Sequence, residues 1–240
     1  MAETVSAMGG TGIAMDKREA ASALRWWLES GVDTAIQEQP RNWFDRAPAP
    51  APPEPAAPQA APPPDTLEAF QQWLSSSADA PLASAGARPV LPRGSEGAEI
   101  MLLFEPPSSE ELAGGQPVGG EAGQLMERML AAIGLTGQAY AANLACFHST
   151  GARLSAAQME RCASAAKRHV ALAKPKRLLL LGDAPSRIVL GKPLVEARGH
   201  VHSIEGIRTI VTFHPRQLLK RPSDKARAWK DLLLLMEEAP

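Results

Sequence analysis

The chain has 240 residues, 25 Lys plus Arg against 26 Asp plus Glu, and a formal net charge of −1, so it carries no global basic field and any nucleic-acid binding must rest on a local patch. Its two cysteines, Cys146 and Cys162, exclude a disulfide framework and suit a reducing, cytoplasmic location. From Met1 onward there is no apolar leader core and no run of about 18 apolar residues, so neither secretion nor a membrane span is expected.

In chain order, residues 16–30 read as a helix, with Ala20, Ala23, Leu24, Trp27 and Leu28 at helical spacing and Gly31 as its stop. Asn42, Trp43 and Phe44 form a short apolar island. Residues 47–64 are almost wholly Ala and Pro, which cannot bury a core and predict a stiff, disordered linker. Helical spacing resumes over 66–74, and 75–98 is rich in Ser, Ala, Gly and Pro. The expected organisation is a helical segment over 1–45, a linker over 46–64 and one folded domain over 65–240.

The core begins at Glu99. Residues 100–104 read as a buried strand and 125–133 as a helix. An Ala-rich strand follows over 139–145, then a helix over 155–172 with Ser155 as N-cap. Strand 177–181 ends in Gly182-Asp183, a short helix over 185–190 closes at Gly191, a strand runs over 207–213, and a last helix over 222–236. Alternating strands and helices predict an α/β domain with a four-stranded, mainly parallel sheet flanked by helices. The apolar content of 45% supports one core of about 140 residues.

Several residues fall where such a sheet binds ligands, just past the carboxyl ends of its strands. Glu105 directly follows the first strand, a place from which a carboxylate orients water or stabilises positive charge; the alternative is a solvated acidic loop. The glycines between Gly114 and Gly123 permit close backbone approach, but no Gly-Lys-Ser/Thr makes them a Walker loop. Asn143 donates and accepts at once, which suits the edge of a base, although a turn-forming Asn is the commoner reading. The strand over 207–213 runs into His214-Pro215, and Arg216, Lys220 and Arg221 follow as candidates for phosphate contact. His148, His169, His200 and His202 read as surface or satisfied histidines without a metal-ligand set.

The order of these motifs resembles the family 4 uracil-DNA glycosylases. Those proteins carry Gly-Glu-Ala-Pro-Gly, then Gly-x-Pro-Phe-Val-Gly-x-x-Gly-Gln-Leu-Leu. A strand ending in Asn and a Pro-Lys ahead of a strand ending in Leu-Gly follow, then His-Pro-Ser/Ala-Tyr-Leu-Leu-Arg. The counterparts here are Phe104-Glu105-Pro106-Pro107-Ser108, Gly115-Gln116-Pro117-Val118-Gly119-Gly120 with Gly123-Gln124-Leu125-Met126, Asn143, Pro175-Lys176, Leu181-Gly182, and His214-Pro215-Arg216-Gln217-Leu218-Leu219-Lys220. The likeness covers about residues 66–237 and implies the uracil-DNA glycosylase fold.

The resemblance implies a protein that hydrolyses the N-glycosidic bond of uracil in DNA during base-excision repair. Glu105, Asn143 and His214 would be its catalytic residues, and Pro107, Val118 and Asn143 its uracil pocket. Arg216, Leu218, Leu219, Lys220 and Arg221 would contact DNA. Val118 stands where the family has a stacking Phe, Phe104 and Ser108 replace two glycines, and Arg216 and Gln217 replace a small residue and a Tyr. Weakened excision is one consequence of these changes. The family's iron–sulfur cluster takes four Cys. Ser77, Ala80 and Phe147 fall at three of those places and Cys162 at the fourth, with Cys146 beside Phe147, so no cofactor is expected. The alternative function is a non-catalytic DNA-binding or protein-interaction scaffold on the same fold, with Trp26, Trp27 and Trp43 anchoring a protein partner on the N-terminal helix.

Overall fold

The computed structural model describes residues 17–31, 64–84, 86–149 and 154–237. The chain divides into two units, residues 1–57 and 58–240. In the first, α1 (Lys17–Glu29) forms as expected and exposes Leu24, Trp26, Trp27 and Leu28. Asp16, the 42–44 island with Trp43, and all of the Ala/Pro linker up to residue 63 lie outside the described residues.

The second unit begins with α2 (Leu67–Ser76), capped by the Thr66 hydroxyl, which accepts from the Ala69 amide. Next come β1 (Ile100–Phe104), α3 (Ser109–Gly114), α4 (Gly120–Ala132), β2 (Ala139–Asn143), α5 (Ala156–Ala173) and β3 (Arg177–Leu181). A short α6 (Asp183–Pro185) runs into a π-helical turn (Ser186–Leu190), then α7 (Leu194–Ala197). The chain closes with β4 (His202–Ile204), β5 (Ile207–Thr212), α8 (Pro215–Lys220), a 3-10 turn (Pro222–Asp224) and α9 (Lys225–Met236). Among the described residues no helix is long and apolar enough to cross a membrane.

Among the described residues the sheet has five strands, not the expected four, in the order β2-β1-β3-β5-β4. The four expected strands are parallel, and β4 adds an antiparallel edge on β5. The continuous apolar runs of β1 and β3 follow from burial on both faces. Alternate residues divide between the layers. Met101, Leu103, Leu178, Leu180 and Val211 pack with Cys162, Ala166 and Val170 of α5. Ile100, Leu102, Phe104, Leu179, Leu181 and Ile210 pack with Met126 and Leu130 of α4 and Leu232 and Leu235 of α9.

Two further departures concern the site. Residues 105–111, expected to be a loop, turn helical from Ser109 as α3, because the Ser108 and Glu111 side chains cap each other's backbone. Leu218 and Leu219, which the resemblance would place in a loop that enters DNA, lie in α8, which His214 caps and Pro215 starts. Ser155 caps α5 as expected, with Gln158 completing a capping box.

The register aligns the carboxyl ends of all four parallel strands. Phe104 lies beside Asn143 on one side and Leu181 on the other, and Leu181 beside Thr212. From β1 the chain goes outward to β2; from β3 it goes the other way. The crevice between β1 and β3 is therefore the topological switch point, where open α/β sheets bind ligands.

Candidate active site

Glu105 sits at this switch point. Across the crevice the main-chain amides of Asp183 and Ala184 face its carboxylate and favour its charged form. Burial pushes its pKa above the ordinary carboxylate value, against the pull of Arg216 and those two amides, while Asp183 adds to the rise. Gly182 makes room for it: φ is +107°, and a Cβ there would stand 2.9 Å from Glu105 Cδ.

Asn143 ends β2 with 7% of its surface exposed. Its amide is oriented by two carbonyls: Nδ2 donates to Glu105 O at 2.7 Å and to Pro117 O at 3.1 Å. Both amide hydrogens are thereby spent, and buried Oδ1 has no partner among the described residues.

His214 is 3% exposed, its ring edge-on to Phe104 with centroids 5.5 Å apart. Nδ1 accepts from the Arg216 main-chain N–H at 3.1 Å, so the ring proton sits on Nε2. Burial first, and the Arg216 charge second, push its pKa down to about 3, so the ring is neutral at pH 7. Nε2 is buried and has no partner among the described residues. The three expected catalytic residues thus gather around the end of β1. Two of them offer an unsatisfied polar group, one accepting and one donating, where buried groups are nearly always paired.

Two clefts meet at Glu105 and Arg216. One, of about 540 Å³, is lined by Glu105, His214, Arg216, Gln217, Lys220 and Arg221. The other, of about 850 Å³, includes Glu105, Ser108, His148, Asp183, Arg187 and Arg216. Lys220 and Arg221 are exposed at the first cleft and Leu219 is half-buried. Leu218, by contrast, is 1% exposed and packed in the core, so the expectation that it reaches DNA is corrected: helical α8 turns that position inward. Val118 packs against the α4 layer and lines neither cleft. Pro107 is buried, and its carbonyl accepts from His148 Nδ1 at 2.7 Å. Sequence reasoning named Gly182 only as a motif position, without the space it leaves for Glu105, and missed Glu111 and the ties of Arg216. The Ser108-x-x-Glu111 capping pattern was the one legible signal among them.

Residues 91–233 match the model of the uracil DNA glycosylase superfamily, and the chain belongs to that superfamily. It is a family 4-like member. It is 28% identical over 141 residues to the type-4 uracil-DNA glycosylase of Archaeoglobus fulgidus, covering 54% of this chain and 71% of that one. It is 24% identical over 147 residues to the type-4 uracil-DNA glycosylase of Pyrobaculum aerophilum, covering 56% and 75%.

These relatives correct the expectation that no cofactor is involved, since type-4 members bind an iron–sulfur cluster. The donors of this chain do not fit one as it stands. Cys146 and Cys162 are both buried, and burial pushes their thiols up to about 12 and about 11. Ala80, Cys146 and Phe147 share an apolar cluster with Phe70 and Leu74. Among the described residues no group of three or more His, Cys, Asp or Glu is placed to hold a metal.

Proposed function

We propose that this protein is a DNA N-glycosylase that hydrolyses the glycosidic bond of uracil. The observation that carries this reading is the pair of unsatisfied buried atoms, acceptor Oδ1 of Asn143 and donor Nε2–H of His214. Uracil presents the complement on one edge, N3–H beside the O2 carbonyl. Within a duplex that edge is paired, so the nucleotide must leave the stack to be read.

As the bond from C1′ to N1 breaks, its electron pair moves into the base and charge gathers on O2. A neutral imidazole donating from Nε2 stabilises that charge, because a preorganised donor in a water-poor site needs no reorganisation. Glu105, facing the sugar as an anion, stabilises positive charge at C1′ and orients the attacking water. Water supplies hydroxide to C1′, its proton goes to the departing base, and an abasic site remains. Lys220 and Arg221 at the cleft mouth suit phosphate contacts, which position the strand without reading it.

The test is a uracil-containing oligonucleotide incubated with the protein, treated with alkali and examined for strand breaks. Cleavage by the wild type that is lost in His214→Ala and Glu105→Ala supports the reading; a wild type that never cleaves sinks it. A second reading rests on the exposed Leu24, Trp26, Trp27 and Leu28 of α1, a face suited to a protein partner. In that case DNA or protein binding would persist without cleavage.

A further inference from the structure

We infer that Arg216 is the positioning residue of this site, one side chain that holds the Glu105 carboxylate and the His214 imidazole in their working states together. The inference rests on the proposed function for its purpose but not for its geometry. The Arg216 fork reaches three groups: Nη2 lies 3.6 Å from Glu105 Oε2, Nη1 lies 3.6 Å from Glu111 Oε2, and Nε lies 3.4 Å from His214 Nδ1. Glu111 is the anchor. It is 2% exposed, and its Oε2 is fixed by the Ser108 N–H at 2.8 Å and hydroxyl at 3.0 Å. The guanidinium is therefore tied to a rigid carboxylate on one side and to the two reacting groups on the other.

The charges act in a coherent sense. A cation beside Glu105 favours its anion against the desolvation that opposes it. The same cation beside His214 disfavours imidazolium and preserves the neutral donor. The other charged or titratable groups around the pair are Asp183, His148 and Arg187 in the wider cleft, and Lys220 and Arg221 in the narrower one. Of these, among the described residues, the Asp183 carboxylate is the charge that acts on Glu105, and it opposes Arg216, whereas the Asp183 amide acts in the same sense as Arg216. A lysine carries the charge but lacks the planar fork that spans three partners.

The test is a carbon-13 titration of Glu105 and a nitrogen-15 titration of His214 in wild type, Arg216→Ala and Arg216→Lys, with uracil excision followed against pH where it occurs. In Arg216→Ala both groups should titrate at higher pH, and the acid limb of excision should move up with Glu105. Arg216→Lys should restore the titrations in part and show by its folded spectrum that the position tolerates change. Unchanged titrations of both groups in Arg216→Ala would overturn the inference whether or not the protein cleaves uracil. An inactive wild type whose titrations still shift would instead sink the proposed reaction and leave the role of Arg216 standing.

Discussion

Gly182 leaves empty the space that the side chain of Glu105 fills. An added Cβ would lie 2.9 Å from Glu105 Cδ and 3.0 Å from Cγ, and the φ of +107° is one that L residues rarely adopt. Gly182→Ala should therefore move the carboxylate off the Asp183 and Ala184 amides. Backbone strain should cost about 1–3 kcal/mol. Excision should fall as far as in Glu105→Ala, read by the oligonucleotide assay, with the stability loss read by urea unfolding. An alanine variant as active as wild type would show that the observed position of Glu105 is not the working one.

Tyr140 links two layers through its hydroxyl. It accepts from Gln71 Nε2 at 2.7 Å and meets His169 Nε2 at 2.7 Å, in a region where His169 is 2% exposed. Tyr140→Phe keeps the ring but strands the imidazole nitrogen. An unsatisfied buried polar group of this kind costs about 1–3 kcal/mol. Urea unfolding should register that loss with excision unaffected, because neither partner lies at the Glu105 crevice.

The sheet was legible where burial was complete. The runs in β1 and β3 could be little else, and His214-Pro215 marked the end of a strand by removing the next amide. The edge strand β4 escaped because three residues with one buried side chain leave almost no period. Its hairpin turn is Glu205-Gly206, both at positive φ, rather than the usual Asn-Gly. Leu218 shows the converse limit. A motif says which residues recur in a family, and only the helical period of α8 says which of two adjacent leucines points inward. The orientation of Asn143 could not be read either, since it depends on carbonyls supplied by Glu105 and Pro117, 38 and 26 residues away.

Asp231 secures the strand that delivers His214. Its Oδ2 accepts from Arg198 Nε at 2.8 Å and from the Thr212 hydroxyl at 2.7 Å, and Asp231 is 2% exposed. Arg198 also lies 4.0 Å over the Phe213 ring, directly before His214. Removing one member of a buried ion pair leaves the other uncompensated and costs about 3–5 kcal/mol. Asp231→Ala should lose stability on that scale and also excision, because Thr212 and Phe213 lead straight into the site. Asp231→Ala with full excision in its folded fraction would detach the pair from the chemistry.

Two buried histidines give stability a definite pH dependence. Burial lowers His169 from 6.5 to about 4, and burial with Arg216 lowers His214 to about 3. In the unfolded chain both bind protons as pH falls through 6.5, whereas in the folded chain they do not until the lowered values are reached. The unfolded state therefore holds more protons in that window, and folding free energy declines steadily as pH drops from 6.5 towards 4. Glu105 and Asp231, both raised by burial, act in the opposite sense nearer their ordinary values of 4.5 and 3.8 and soften the lower end of the decline. Urea midpoints measured across the window should fall with pH, and His169→Gln should flatten the slope even though the variant starts less stable. A slope unchanged in His169→Gln would mean that this ring is already protonated in the folded protein, and that its bond to Tyr140 is not the one observed.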